Sequence, residues 1–506
     1  MRPNARSWLL PLLAALIVIP YPYFPMLRSP NEGARLYQAR AIVDDGTFAL
    51  DGELRRYGQM GDLSHSDRGY FPNKAPGISI LGAGVYGFAR LFTGGDGSRV
   101  SNEVLQYLLR LFCCELPTIA LLFFLRRELW RWSGDGVAAD LALIAYALGS
   151  LAYTYGLLYF GHQLTAVCLM GSFLAIEGSR RAEHRQCWLL ALAGFLAGMA
   201  VLVEYPSALA ALPLGLYVLW ISARRWRSVL VFGLSSLPPQ LLLLWYHKVC
   251  FGSPFAIGYR NNVSAQFNQW TARGFMGVSV PTWDGFWGSL ISPARGLFVF
   301  SPFLLLAFYG MAKVWRKPEL ERPTRLIAIL TILYVMFAAS FVYEGWGWTV
   351  GPRHITALAA FLIPPVAVAL AELGRRGPAW RGVGVGLCIL SVVITSLATI
   401  TYPHFPEVFT NGFFEVSLPL LAGGFLPRNL LGLLFHAQTP GWLLFFSGWI
   451  AILAWMAARG TSSLVGRAAA LATVGAGLLL LGVSARGDSP EKEQMLQFIR
   501  QTYRAG

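Results

Sequence analysis

The chain has 506 residues, of which 55% are hydrophobic and 13% charged, with 33 Phe, 20 Tyr and 17 Trp. An ordinary soluble domain carries roughly 25% charged residues, so half that share at this length excludes both a water-soluble globular protein and a disordered chain. The 41 Lys plus Arg outweigh 26 Asp plus Glu, a net charge of +15, so nucleic acid has to be weighed as a partner until the basic residues are located.

The six cysteines (113, 114, 168, 187, 250 and 388) fall mostly inside apolar runs without C-x-x-C spacing, which suggests neither a disulfide framework nor a zinc site. Arg2 and Arg6 precede an apolar run from Trp8, and Pro20, Pro22 and Pro25 occupy the place where a cleavage site would be needed. A retained signal anchor is expected.

A hydrocarbon core about 30 Å thick takes about 20 apolar helical residues to cross. On that basis the chain is expected to hold about thirteen spans: 8–26, 103–125, 137–159, 162–178, 187–203, 206–222, 229–247, 297–313, 324–343, 353–373, 381–402, 441–459 and 463–484. The stretch 77–92 is apolar but short, holds four Gly and Arg90, and is read as a juxtamembrane helix. With that choice every connection predicted to be cytoplasmic is basic: Arg126-Arg127, Arg180-Arg181 with Arg185, Arg224-Arg225, Lys313 to Arg325, Arg375-Arg376, and Arg459 with Arg467. Positive charge is retained on the cytoplasmic side, so the N-terminus is expected there, and the basic balance largely reflects topology. Nucleic acid loses its support. One integral membrane domain, 1–484, is expected to carry outer segments at 27–102, 248–296 and 403–440, with a short extracytoplasmic tail at 485–506.

The first outer segment holds most of the acidic residues expected to do chemistry. Leu36, Ala39 and Val43 recur at helical spacing, so Asn31 to Asp45 reads as an amphipathic helix at the interface. Glu32 falls in its first turn, where the helix dipole stabilises a carboxylate and where a cap and a base look alike. Downstream, Asp62, Tyr70 and Lys74 surround a Pro-bounded turn. Lys74 either snorkels to the interface or binds an anionic lipid phosphate.

A first span, a P-N-E-x-x-R helix, a G-Y-F-x-x-K-A-P-G turn and an apolar juxtamembrane helix, in that order, resemble the polyprenyl-phosphate-dependent glycosyltransferases of the GT-C superfamily. The likeness is to the protein O-mannosyltransferases and the aminoarabinose and other lipid A sugar transferases, in the manner of glycosyltransferase family 39. It is specific over residues 8–160 and diffuse beyond. Further pieces similar to bacterial members are Phe160-Gly161-His162, F-G-S-P-F-A-I-G-Y (251–259), S-P-A-R-G-L (292–297) and G-W-G-W-T-V-G-P-R-H (345–354). Those enzymes begin the helix with Asp-Glu and continue to Lys-Pro-Pro; this chain has Asn31-Glu32 and Lys74-Ala75-Pro76. An amide takes up no proton near neutral pH, so the base falls to Glu32 or to Asp62.

The resemblance implies an all-α polytopic fold of GT-C type, with extracytoplasmic juxtamembrane helices, in a bacterial inner (plasma) membrane. It further implies a polyprenyl-phosphate-linked sugar donor and a lipid, glycan or protein acceptor on the outer face. Attack is expected to invert the anomeric centre, without a cofactor or divalent metal. Lys74, Arg353 and His162 are the candidates for the donor phosphate, and Asn31, Tyr70, Tyr259 and Trp348 for substrate contact. Each has a plainer reading: an interfacial histidine, a snorkelling arginine, and an aromatic belt of Trp346, Trp348, Tyr259 and Trp270. Arg110 and Glu115, five residues apart inside a span, are either functional or a structural ion pair. A transporter or flippase of lipid-linked saccharides is the competing function, and a non-catalytic assembly factor the third. The chain lacks the related halves a transporter is expected to show.

Overall fold

The computed structural model describes residues 8–20, 29–181, 186–222, 225–342, 347–485, 487 and 489–503. Arg185, Arg224, Trp346 and residues 21–26 of the predicted first span lie outside them. Among the described residues eight helices are long and apolar enough to cross a membrane, from Asn102–Ser133 to Leu464–Val483. At 1.5 Å per residue, 20 residues cover the roughly 30 Å of hydrocarbon. The chain is a multi-pass, essentially all-helical membrane protein.

The remaining predicted spans are also helical; 162–178 falls in the continuous Gly161–Arg181 helix, and the others are shorter or broken. The run 137–159 divides at Ser150, whose backbone turns extended (φ −135°, ψ 172°) between the Gly136–Gly149 and Leu151–Gly156 helices. Its hydroxyl donates to the Tyr146 carbonyl at 2.6 Å and accepts the Ala152 N–H at 3.2 Å. The run 297–313 breaks at Ser301, one residue before Pro302, where the preceding backbone is pushed out of the helical region. Broken backbone inside a bundle must find new partners. The Pro378–Thr401 helix supplies them: Ser391 Oγ accepts the Phe303 N–H at 3.1 Å, and Thr395 Oγ1 donates to the Phe300 carbonyl at 2.6 Å.

The Thr356–Arg376 helix runs through the centre and is buried along nearly its whole length, whereas Leu464–Val483 keeps most of its apolar surface outward. Close packing at the hub depends on Gly310, where a Cβ would collide with the Pro365 carbonyl oxygen.

The Pro30–Asp44 helix departs from the amphipathic expectation. Asn31 through Ala41 are all buried, Arg35 and Arg40 among them. It lies inside the outer layer rather than along the interface, against the Gly77–Leu91 helix. Its polar side chains are satisfied by neighbours instead of water. Gln38 donates to Tyr246 Oη at 3.1 Å, and Arg40 reaches Asn102 Oδ1 at 2.6 Å and Tyr86 Oη at 2.8 Å.

Two strands interrupt the helical pattern: β1 (Leu63–Ser66) and β2 (Gly69–Pro72) form an antiparallel hairpin turning at Asp67-Arg68. Leu63 pairs with Pro72, so Asp62 and Asn73 face each other at the open end, and Asn73 N–H donates to the Asp62 carbonyl at 2.9 Å. The predicted C-terminal tail contains a helix, Pro490–Thr502, docked through buried Ile499 and a 2.9 Å pair between Lys492 and Glu415.

Candidate active site

Where the first outer segment, the 257–278 loop, the 347–354 segment and the 404–407 loop converge, they enclose a cavity of about 1100 Å³. That exceeds the roughly 300–1,000 Å³ typical of pockets for drug-sized ligands. Its polar lining includes Asn31, Asp62, Lys74, Arg353 and His404. Its apolar lining includes Leu209, Leu212, Pro213, Leu333, Phe337 and Phe341. Tyr259, Phe267, Trp270 and Trp348 stand along the walls. Arg353 begins the segment Arg353–Arg376, and the Arg375-Arg376 pair closes its far end. One helix therefore separates the cavity from a basic connection.

The hairpin delivers two of the charges. Asp62 takes a left-handed conformation, φ 57°, which aspartate tolerates better than most residues. It ends up with Oδ2 3.8 Å from Lys74 Nζ. The ammonium also stands 5.7 Å from the Tyr259 ring centroid and 6.0 Å from that of Phe267, within the range of cation–π attraction. Burial pulls the Lys74 pKa below its usual value, and Arg353 and Arg35 push the same way against the opposing pull of Asp62. An arriving anion reverses that balance.

Arg353 follows Gly-Pro and lies 5.9 Å from the Phe160 ring centroid. Among the described residues it makes no ion pair, and its Nε is buried without a hydrogen-bond partner. Gly347 is left-handed at φ 65°, and even a Cβ there would stand 3.7 Å from the Arg353 guanidinium. Two cations thus share the cavity, and of its two lining carboxylates Asp62 stands beside Lys74.

The structure gathers Asn31, Asp62, Lys74, Tyr259, Trp348 and Arg353 around this cavity. It places three other candidates elsewhere. Glu32 is completely buried and bound by Arg110, with Nε–Oε1 2.7 Å and Nη2–Oε2 2.5 Å, by Gln106 Nε2 at 3.1 Å, and by the Tyr159 N–H at 2.6 Å. Burial works to raise its pKa, but the Arg110 charge and these hydrogen bonds prevail and hold it below the usual value. Its oxygens join the helix to the Asn102–Arg110 helix and to the Tyr159 backbone, and it does not line the cavity. Arg110 likewise pairs with Glu32 rather than with Glu115, whose buried carboxylate oxygens have no hydrogen-bond partner. Tyr70 belongs to β2, where its N–H donates to Asp51 Oδ2 at 3.0 Å and its ring packs on His65 at 4.6 Å.

His162 sits behind the cavity wall. With Glu204 and His354 it places three ligand atoms within 4.8 Å of one another, a donor set that suits a divalent ion by type. The surroundings oppose one. Glu204 Oε1 already accepts from Arg35 Nη2 at 2.7 Å, and Arg353, Arg35 and Lys74 all act on His162 as neighbouring positive charge. The cluster favours anions over cations.

Two cavity residues escaped the sequence reading. His404, with its pKa pushed down to about 4 mainly by burial, is neutral at neutral pH. Glu407 lines the mouth. The 403–440 segment contains only Glu407 and Glu415 as acids, so the scarcity that singled out the first outer segment applies there too.

Fold and site together define a polytopic helical membrane protein with a large cavity lined by two cations and many apolar side chains. No protein-family model matches the chain, and no curated protein matches it significantly. Among solved structures it is similar to ArnT from Cupriavidus metallidurans, at 16% identity over 93% of this chain and 78% of that one, with a TM-score of 0.48. It is also similar to the oligosaccharyltransferase AglB from Archaeoglobus fulgidus in complex with an inhibitory peptide and a dolichol-phosphate, at 13% identity and a TM-score of 0.46, covering 98% of this chain and 58% of AglB. The arabinosyltransferase EmbB from Mycobacterium smegmatis aligns at 16% identity and a TM-score of 0.45 over 98% of this chain and 41% of its own. These neighbours are GT-C glycosyltransferases, the class the first-loop motifs resemble.

Proposed function

We propose that this protein is a membrane glycosyltransferase that moves a sugar from a polyprenyl-phosphate donor to a lipid, glycan or protein acceptor on the extracytoplasmic face. The observation that carries the reading is the cavity's lining, which sets two cations, Lys74 and Arg353, among a much larger set of apolar and aromatic side chains. Arg353, without an ion-pair partner among the described residues, and Lys74, held at 3.8 Å from Asp62, match a phosphate monoester leaving from the anomeric carbon. The apolar lining, Leu212 and Phe337 among it, suits an isoprenoid chain, and Tyr259, Trp270 and Trp348 suit a sugar ring. As the C–O bond to the sugar breaks, charge builds on the phosphate, and cations already in place stabilise it without reorganising. Asp62 holds Lys74 in that position. We place the site outside a bacterial inner membrane, with the N-terminus in the cytoplasm.

The test is turnover of synthetic polyprenyl-phosphate hexoses and pentoses by the purified protein, read as release of polyprenyl phosphate. Removing one such electrostatic contact typically costs about 10²–10³ in rate, so Lys74→Ala should lose about that much while its thermal midpoint stays put. Full activity in that variant removes Lys74 from the phosphate. Retention of the donor with no release by the wild type favours a flippase.

A further inference from the structure

Inverting transfer needs two groups on opposite faces of the anomeric carbon, a cation where the phosphate departs and a base where the hydroxyl enters. Asn31 cannot be that base, and Glu32 is locked to Arg110 away from the cavity. Two carboxylates line the cavity among the described residues, Asp62 and Glu407. Asp62 stands beside Lys74, on the face from which the phosphate leaves. A hydroxyl activated there would approach from the leaving-group side, and protonating Asp62 would release Lys74 as charge develops on the phosphate.

Glu407 comes from another element, the loop that follows the Pro378–Thr401 helix. Its side chain is 51% exposed at the cavity mouth, and its ion pair with Arg295 Nη2 is long, 3.7 Å. That leaves carboxylate surface for an incoming hydroxyl. Three residues earlier, His404 packs on Phe160 with centroids 6.1 Å apart, and Arg353 approaches the same ring. The loop that bears Glu407 and the Arg353 cation therefore border the same ring beside the cavity. Phe498, Thr502 and Tyr503 of the C-terminal segment line the cavity with Glu407, and Tyr503 packs against Tyr402 at 5.1 Å.

Resting on the glycosyltransferase reading, the geometry points to Glu407 as the general base for an acceptor hydroxyl that enters between the 402–411 loop and the C-terminal helix. The hydroxyl proton passes to the Glu407 carboxylate as the acceptor oxygen bonds to the anomeric carbon. The bond from that carbon to the phosphate oxygen breaks with its electron pair, and polyprenyl phosphate leaves as a monoester toward Lys74 and Arg353. Glu407 then returns its proton to water.

The experiment compares wild type, Glu407→Gln, Glu407→Asp and Lys74→Ala, each as the full chain. Two readouts are taken: release of polyprenyl phosphate from the donor panel across pH, and binding of polyprenyl monophosphate alone. A general base contributes about 10²–10⁴ in rate. Glu407→Gln should lose turnover in that range and the acid limb of the pH profile, bind polyprenyl monophosphate like wild type, and be partly rescued in Glu407→Asp. Lys74→Ala should lose binding as well. The assignment falls if Glu407→Gln turns over normally, or if it weakens binding as much as Lys74→Ala does. It falls equally if Glu344→Gln, in a segment outside the described residues, removes the acid limb instead. A wild type that turns over no donor overturns the glycosyltransferase reading itself, an outcome distinct from a wild type and Glu407→Gln that turn over alike.

Discussion

The Pro30–Asp44 helix and the cavity wall beside it contain the same residue types in opposite conditions. In the helix, Glu32, Arg35 and Arg40 are almost wholly buried; the Asn102–Arg110 helix holds Glu32 and Arg40, and Glu204 holds Arg35, all by short contacts. In the wall, Lys74 keeps a 3.8 Å contact, and Arg353 keeps the face of an aromatic ring. A buried charge already matched in geometry and number is used for assembly, because loosening it costs several kcal/mol. A charge left partly unmatched beside a cavity is available to a ligand. The difference separates matched from partly unmatched charge even within the first outer segment, where Glu32 and Lys74 stand 42 residues apart.

The largest effect should come from breaking the assembled side. Glu32→Gln leaves the Arg110 guanidinium buried with its charge uncompensated, a loss of about 3–5 kcal/mol. The variant should show a sharply lowered thermal midpoint in detergent, and loss of activity only in proportion to lost folded protein. A normally folded Glu32→Gln protein that turns over no donor would return Glu32 to the chemistry and erase the contrast.

A smaller effect is expected from titrating the available side. Burial, Arg353 and Arg35 lower the Lys74 pKa, so the ammonium is intact below that shifted value and is lost as pH rises through it, sooner than for a lysine in water. Polyprenyl phosphate affinity should fall on the alkaline side, by roughly tenfold per pH unit once Lys74 is neutral. Lys74→Arg stays charged throughout and should flatten that limb. An unchanged alkaline limb in the arginine variant would show that another group controls it.

The sequence reading separates along the same line. Apolar length is visible in one dimension, so the long helices were legible. The breaks at Ser150 and Ser301 were not, because Ser391 and Thr395 that satisfy one of them come from a helix about 90 residues away. Motifs with fixed local spacing brought Asp62 and Lys74 to notice, and the hairpin register explains why they meet. Whether a charge is matched depends on distant partners. For Glu32 local pattern leaves cap and base open because Arg110, 78 residues on, is invisible to it, and the Asn31 to Asp45 stretch reads as amphipathic because Glu204 and Tyr246, which hold Arg35 and Gln38, are farther still. Glu407 was passed over because the first outer segment holds more acids, although an acid's value to a site depends on its freedom rather than on its company.

The smallest effect expected is none, from removing divalent ions. His162, Glu204 and His354 are a plausible donor set by residue type. A divalent ion there, however, would compete with Arg35 for the one carboxylate, under the field of Arg353 and Lys74. Two like charges 4 Å apart repel by about 4 kcal/mol even at an effective dielectric of 20, so the same cations that suit a phosphate oppose a metal. Turnover should therefore be unchanged after EDTA treatment and exhaustive exchange into metal-free buffer. A strict requirement for a divalent ion, abolished by His162→Ala and Glu204→Gln together, would move this cluster from the assembled side of the comparison to the catalytic one.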